Sequence, residues 1–199
     1  MNIDKNDVIN SIIEGITSLL SIPVDTIPNI DLYMDQVTNF METNLASHKR
    51  YADDKILTKT MINNYVKDGI LPAPEKKKYS KEHLLILIGI YYLKDILSIK
   101  DVGAIMKPLN ERYFHNEDGL NVADIYDTLW TMKSDHLDNM HEHLQKEYTY
   151  ASSLYDQAPS EEREPLRNLT FICMLAMDVY TKKQIIESML DNLVLDKPE

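Results

Sequence analysis

Cysteine is nearly missing from this chain: Cys173 is the one thiol in 199 residues. A disulfide framework and a Cys-based metal site are therefore excluded within one chain. Glycine is scarce as well, at 5 residues, and the 8 prolines fall mainly between stretches of regular apolar spacing. That balance points to helices rather than sheets. No stretch approaches the ~18 consecutive apolar residues that a membrane span requires. The opening residues Asn2-Ile3-Asp4-Lys5-Asn6-Asp7 are acidic where a secretory leader would be basic. These absences lead us to expect a cytoplasmic protein with no membrane segment. Gly-rich phosphate loops, nucleophile elbows and acid pairs with a supporting base are missing too, so nothing argues for an enzyme or a cofactor. The pairs Glu117-Asp118 and Glu161-Glu162 read as solvated charge in loops. Positive charge is also in short supply, with 21 Lys+Arg against 32 Asp+Glu and a net charge of −11.

What is present is an ordinary globular composition, 44% hydrophobic and 27% charged, with the scarce positive charge gathered in one place. From Ser47 to Lys107 there are 12 Lys+Arg against 7 Asp+Glu, while the segments on either side are strongly acidic. A chain this acidic should avoid polyanions, so a basic island says where a polyanion could still dock.

Apolar spacing divides the chain into helices. Val8, Ile9, Ile12, Ile13, Ile16, Leu19 and Leu20 share one face of an N-terminal amphipathic helix, which with its connector occupies residues 1–27. A second helix carries Tyr33, Met34, Val37, Phe40, Met41 and Leu45. Thr58 is a natural N-cap for a helix ending at Gly69, so residues 58–68 form a short exposed helix. Pro72 and Pro74 stop it, and the basic segment 75–79 that follows suits a small wing. Ser80 caps a helix so apolar all round that it must be central. Ser98-Ile99-Lys100-Asp101 starts another helix, expected to close near Pro108. A long helical stretch runs from Val122 to about Ala158, and a last one or two from Leu166 to Leu193. The expectation is an all-α chain apart from a small β wing. Residues 28–108 would form a winged helix-turn-helix-like domain, and 109–199 a helical C-terminal region for dimerisation or effector binding.

The island suits a nucleic-acid reader. In a helix-turn-helix, the second helix enters the major groove with its N-terminal residues facing base edges. Lys59, Thr60, Asn63, Asn64 and Lys67 are the exposed candidates on helix 58–68, and Met61, Ile62 and Val66 face the core. Asparagine can pair bidentately with adenine, and lysine neutralises phosphate. Lys76, Lys77 and Lys78 would grip the backbone as the wing.

The succession Ile62, Tyr65, Gly69, Ile70, Leu71, Pro72, then Lys78 and Tyr79, then a helix from Lys81, resembles the DNA-binding head of the MerR regulators. That resemblance implies phosphate contacts for Tyr65 and Lys78, with Tyr79 closing the wing. Asn63 and Asn64 stand where those regulators carry arginine and tyrosine. A second likeness covers residues 28 to 107: Leu32-Tyr33-Met34-Asp35-Gln36-Val37, then Leu57-Thr58-Lys59-Thr60-Met61-Ile62-Asn63-Asn64-Tyr65, then Lys77-Lys78-Tyr79-Ser80 and Leu97-Ser98-Ile99. On these residues the chain resembles the bacterial domain of unknown function 1836 family, which implies a MerR-like winged head and no established activity.

Other constellations are weaker. His136, His141 and His143 lie near Asp135, Asp138 and Glu142, but no two of the histidines have the i, i+3 or i+4 spacing of helical metal ligands. They read as a solvated acidic face. His115 has no evident partner in the sequence. Cys173, inside Phe171-Ile172-Cys173-Met174-Leu175, reads as a buried inert thiol. Met132, Met140, Met174, Met177 and Met189 could line a pocket for a small apolar effector, though core packing is the plainer reading. Trp130, Leu137 and Leu144 share a seven-residue step that could form a homodimer seam in the C-terminal helices. The function expected is a DNA-binding transcriptional regulator, a homodimer on double-stranded DNA. The alternative is a non-enzymatic protein- or ligand-binding adaptor on the same scaffold.

Overall fold

The structure, a computed structural model, describes residues 11–12 and 22–192. Most of the expected N-terminal helix, including Val8, Ile13, Ile16 and Leu19, lies outside them. The described residues fall into two compact units, one of 22–131 with 189–192 and one of 11–12 with 132–188.

In the first unit a two-residue strand β1 (Leu32–Tyr33) leads directly into helix α1 (Met34–Leu45). After a connector come α2 (Lys59–Lys67), strand β2 (Lys78–Tyr79), α3 (Lys81–Lys94), α4 (Ile99–Tyr113) and the start of α5 (Val122–Ser153). β1 and β2 pair antiparallel, Leu32 opposite Tyr79 and Tyr33 opposite Lys78. The fold is thus helical with one small sheet. The first strand is a feature the apolar spacing does not announce, since two residues carry no period.

α3 is the centre. His83 to Ile88, Ile90 and Tyr91 are all buried, so the helix has no wet face. α4 packs along it, and Gly89 lets the two come close: a Cβ there would sit 3.0 Å from Met106 Cε. Val37, Met41 and Leu45 of α1 and Ile62 of α2 are fully buried in the same unit. α4 runs through Pro108 to Tyr113 rather than closing near the proline. Proline removes only its own N–H, and beyond it the turn resumes with Phe114 N–H donating to the Asn110 carbonyl. Asn121 then starts α5: its Oδ1 accepts from the N–H groups of Ala123 and Asp124, while its own N–H donates to Asp124 Oδ2.

In the second unit the rest of α5 runs antiparallel to α6 (Ser160–Asn192), one continuous helix with Pro165 inside it, where the ring leaves the Glu161 carbonyl without its intrahelical donor. Tyr148, Ala151 and Phe171 form its core, with Leu144, Met174 and Leu175 packed against them. Arg167 stacks over Tyr148, and Tyr155 Oη lies 2.7 Å from Thr170 Oγ1. Cys173 is exposed, not buried. With Phe171, Met174 and Leu175 turned inward, the helical period carries Cys173 to the other face.

His83 makes the first unit sensitive to acid. It is 1% exposed, and its Nδ1 accepts from the Ser80 backbone N–H at 3.0 Å. Tyr79 and Phe114 meet its ring edge-on. Burial pushes its pKa from 6.5 down to about 4, with the Ala73 carbonyl acting in the opposite sense. A base whose folded pKa is depressed stabilises the fold fully above its unfolded pKa, and that stability is lost as pH falls toward the folded value. Chemical denaturation should therefore show about 3 kcal/mol lost between pH 7 and 4 from this site, at 1.36 kcal/mol per unit. In His83→Gln, which can still accept from Ser80 N–H, that slope should flatten.

Candidate nucleic-acid interface

The exposed helix is built by its two ends. Thr58 Oγ1 accepts from Met61 N–H at 3.2 Å, closing the cap. Leu57 before it and Ile62 after it are buried at the two positions of a hydrophobic staple. At the far end Gly69 takes a φ of 69°, and the N–H groups of Ile70 and Leu71 both return to the Tyr65 carbonyl. Only glycine adopts that conformation without cost. Asn110 of α4 holds the exit, its Nδ2 donating to the Ile70 carbonyl at 2.9 Å. Substituting Gly69 would loosen the helix end that sets the face of α2.

Between α1 and α2 the connector is longer than the three or four residues of a tight helix-turn-helix turn. It is ordered by side chains: Asp54 Oδ2 accepts from the N–H groups of Arg50 and Tyr51, and Lys49 pairs with Glu42. His48 places its ring against Tyr91 and Tyr92 of α3.

The face of α2 carries Lys59, Thr60, Asn63, Asn64 and Lys67, all exposed. Ile62 is buried, with Met61 and Val66 half-buried. Tyr65 is buried too, and burial together with the nearby Asp95 carboxylate raises its pKa. Tyr79 is likewise buried, and burial raises its hydroxyl pKa. Both tyrosines serve the packing behind the face. Lys59 pairs with Asp35 in the first turn of α1.

The basic segment is a tight reversal. Glu75 bridges Lys78, whose N–H donates to the Glu75 carbonyl at 2.8 Å. Lys76 and Lys77 between them have φ values of 48° and 65°. Two consecutive left-handed residues are what a type I′ hairpin turn requires, and Asn-Gly is its favoured occupant. Lysine there carries a Cβ penalty of roughly 1–2 kcal/mol per residue. Lys76 and Lys77 are exposed. Lys78 turns back and lays its ammonium 5.3 Å from the centre of the Tyr33 ring.

Two cations are thus moored at one end of α1: Lys59 on Asp35 and Lys78 on Tyr33, two residues apart. The start of the exposed helix and the base of the basic turn lie side by side at that end.

The remaining candidates do not assemble into a site. His143 lies 3.4 Å from Glu147, His141 within hydrogen-bonding distance of Gln145, and no metal-binding group occurs among the described residues. His115 has a partner that the sequence does not reveal: its Nδ1 sits 2.6 Å from Glu82 Oε2, thirty-three positions away. Met132, Met177 and Met189 are exposed, and Met174 packs against the Tyr148–Phe171 core. Leu144 of the expected dimer seam packs into that same core. No helix among the described residues is long and apolar enough to cross a membrane.

Compared with known proteins, the chain matches the family described as domain of unknown function (DUF1836) over residues 22–129, more than half its length. No curated protein and no solved structure matches it.

The strain at the turn has a measurable consequence. Replacing Lys76 by Asn and Lys77 by Gly should raise stability by about 1–2 kcal/mol, and thermal melts should show a gain of several degrees. An unchanged or lowered melting temperature would mean that the turn is not strained.

Proposed function

This chain belongs to the DUF1836 family, and from the surface its matched residues build we propose a cytoplasmic, non-enzymatic bacterial transcription regulator with a MerR-like winged head that binds double-stranded DNA. One observation carries the reading: the only strongly basic stretch of an acidic chain is folded so that Lys59 and Lys78 are moored on Asp35 and Tyr33, two residues apart, beside a turn that keeps lysine where lysine is costly. Strain retained at exposed residues is a pointer to function. Lys59, Thr60, Asn63 and Asn64 would meet base edges in the major groove. Lys67, Lys76, Lys77 and Lys78 would hold phosphates. Tyr65 and Tyr79, being buried, would set the angle of helix and turn.

Asp35 gives this surface its own brake. Its carboxylate occupies Lys59, and DNA must displace it before Lys59 can reach a base edge. Asp35→Asn should therefore raise duplex affinity several-fold at low salt and steepen the salt dependence.

In the opposite direction, Lys76→Ala with Lys78→Ala should weaken binding to every duplex alike and reduce the slope of log affinity against log salt by about 2. Selection of bound genomic fragments at low salt, followed by titration at rising salt, measures both. If the purified protein shows no salt-dependent affinity for any duplex, the DNA reading is sunk. A nuclease-resistant protein partner would then favour the adaptor.

A further inference from the structure

α6 has two faces, and only one is used inside its own unit. Phe171, Met174 and Leu175 pack toward Tyr148 and Ala151 of α5. Opposite them, Leu169, Ile172, Met177, Val179 and Tyr180 are between 59% and 70% exposed, and Ala176 and Cys173 lie open among them. This is a contiguous apolar strip, not scattered single residues. Contiguous exposed apolar patches of this kind mark interaction sites.

The spacing of the strip is regular. Leu169, Ile172, Ala176 and Val179 follow one another in steps of three, four and three residues, the alternation of a coiled-coil seam. The same steps lead outward to Pro165 and Glu162 at one end and to Lys183 at the other. Glu162 and Lys183 therefore flank its most exposed part, roughly 30 Å apart at the rise of an α-helix, with the half-buried Ile186 and Leu190 following on the same steps.

We propose that this strip is a homodimer seam, in which α6 lies antiparallel to α6 of a second copy about a two-fold axis between Ile172 and Cys173. The ends of the strip select both the partner and the direction. An antiparallel pair about that axis sets Glu162 of each copy against Lys183 of the other, and Leu169 against Ala176. A parallel pair would set Glu162 against Glu162 and Lys183 against Lys183. Like charges across a seam are repulsive, so the strip is complementary to itself in one orientation only. Lys183 lies 3.7 Å from Glu187 of its own helix, a loose exposed pair that a partner's carboxylate can share. A membrane surface is a poor alternative, because Glu161, Glu162 and Glu164 crowd one end of the strip where an anionic bilayer would want lysine and arginine. The seam is distinct from the Trp130, Leu137 and Leu144 step, and it does not rest on the DNA reading.

The test is sedimentation of the full-length protein at micromolar concentration. The wild-type chain should run as a dimer. Ile172→Glu, placed on the exposed face, should weaken dimerisation by tenfold or more while leaving the circular-dichroism spectrum unchanged. Glu162→Lys alone should also weaken it, and the double variant Glu162→Lys with Lys183→Glu should restore it. A short bis-maleimide should join Cys173 to Cys173 in the wild-type and double variants, and poorly in the single one. A monomeric wild type, or a dimer indifferent to Ile172→Glu, overturns the seam. Failure of the double variant to recover overturns the antiparallel register. Loss of duplex binding with the dimer intact would count against the DNA reading alone.

Discussion

A helix without a polar face has to be covered on every side, and the segment from Lys81 to Lys94 is such a helix. Its demand for cover organises the first unit. β2 abuts its start, α4 lies along it past Gly89, and the connector sends His48 against Tyr91 and Tyr92 near its end. His83 lies at its opening turn, tied to Ser80 and wedged between Tyr79 and Phe114. Strand β2 and the cap of the central helix therefore share one buried side chain.

Electrostatics then work against the background of an acidic chain. Two lysines of the candidate surface are anchored. Lys59 has Asp35 and Lys78 has the Tyr33 ring, while Lys76 and Lys77 stand exposed on a left-handed backbone. Exposed pairs of this kind contribute little to stability. Their effect is on where the ammonium groups stand. A surface whose cations are already positioned loses less side-chain freedom when an anion arrives.

Much of this was legible in the residues. Thr58 as a cap, Gly69 as a stop, the exposed set from Lys59 to Lys67 and the burial of α3 all follow from local rules, and all appear in the structure. What escaped was non-local or had no period. Leu32–Tyr33 is too short to alternate, and it is a strand only because Lys78–Tyr79 comes to it. The Glu82 partner of His115 comes from α3, thirty-three residues back in the chain. Cys173 looked buried because a linear apolar run hides the fact that a helix deals its residues to opposite sides. The turn at Lys76-Lys77 lacks the glycine or asparagine that usually announces it, so its conformation could not be foreseen.

That turn folds three lysines, Lys76, Lys77 and Lys78, into one four-residue reversal. Their mutual repulsion opposes closure, and dissolved ions relieve it. Ionic strength should thus tighten the tip even as it loosens the exposed ion pairs elsewhere on the chain. A polyanion does the same with its own charges, and it does so only where it touches. The tip is consequently a small element whose order is set by its counterions, stiffest when something negative is already in place.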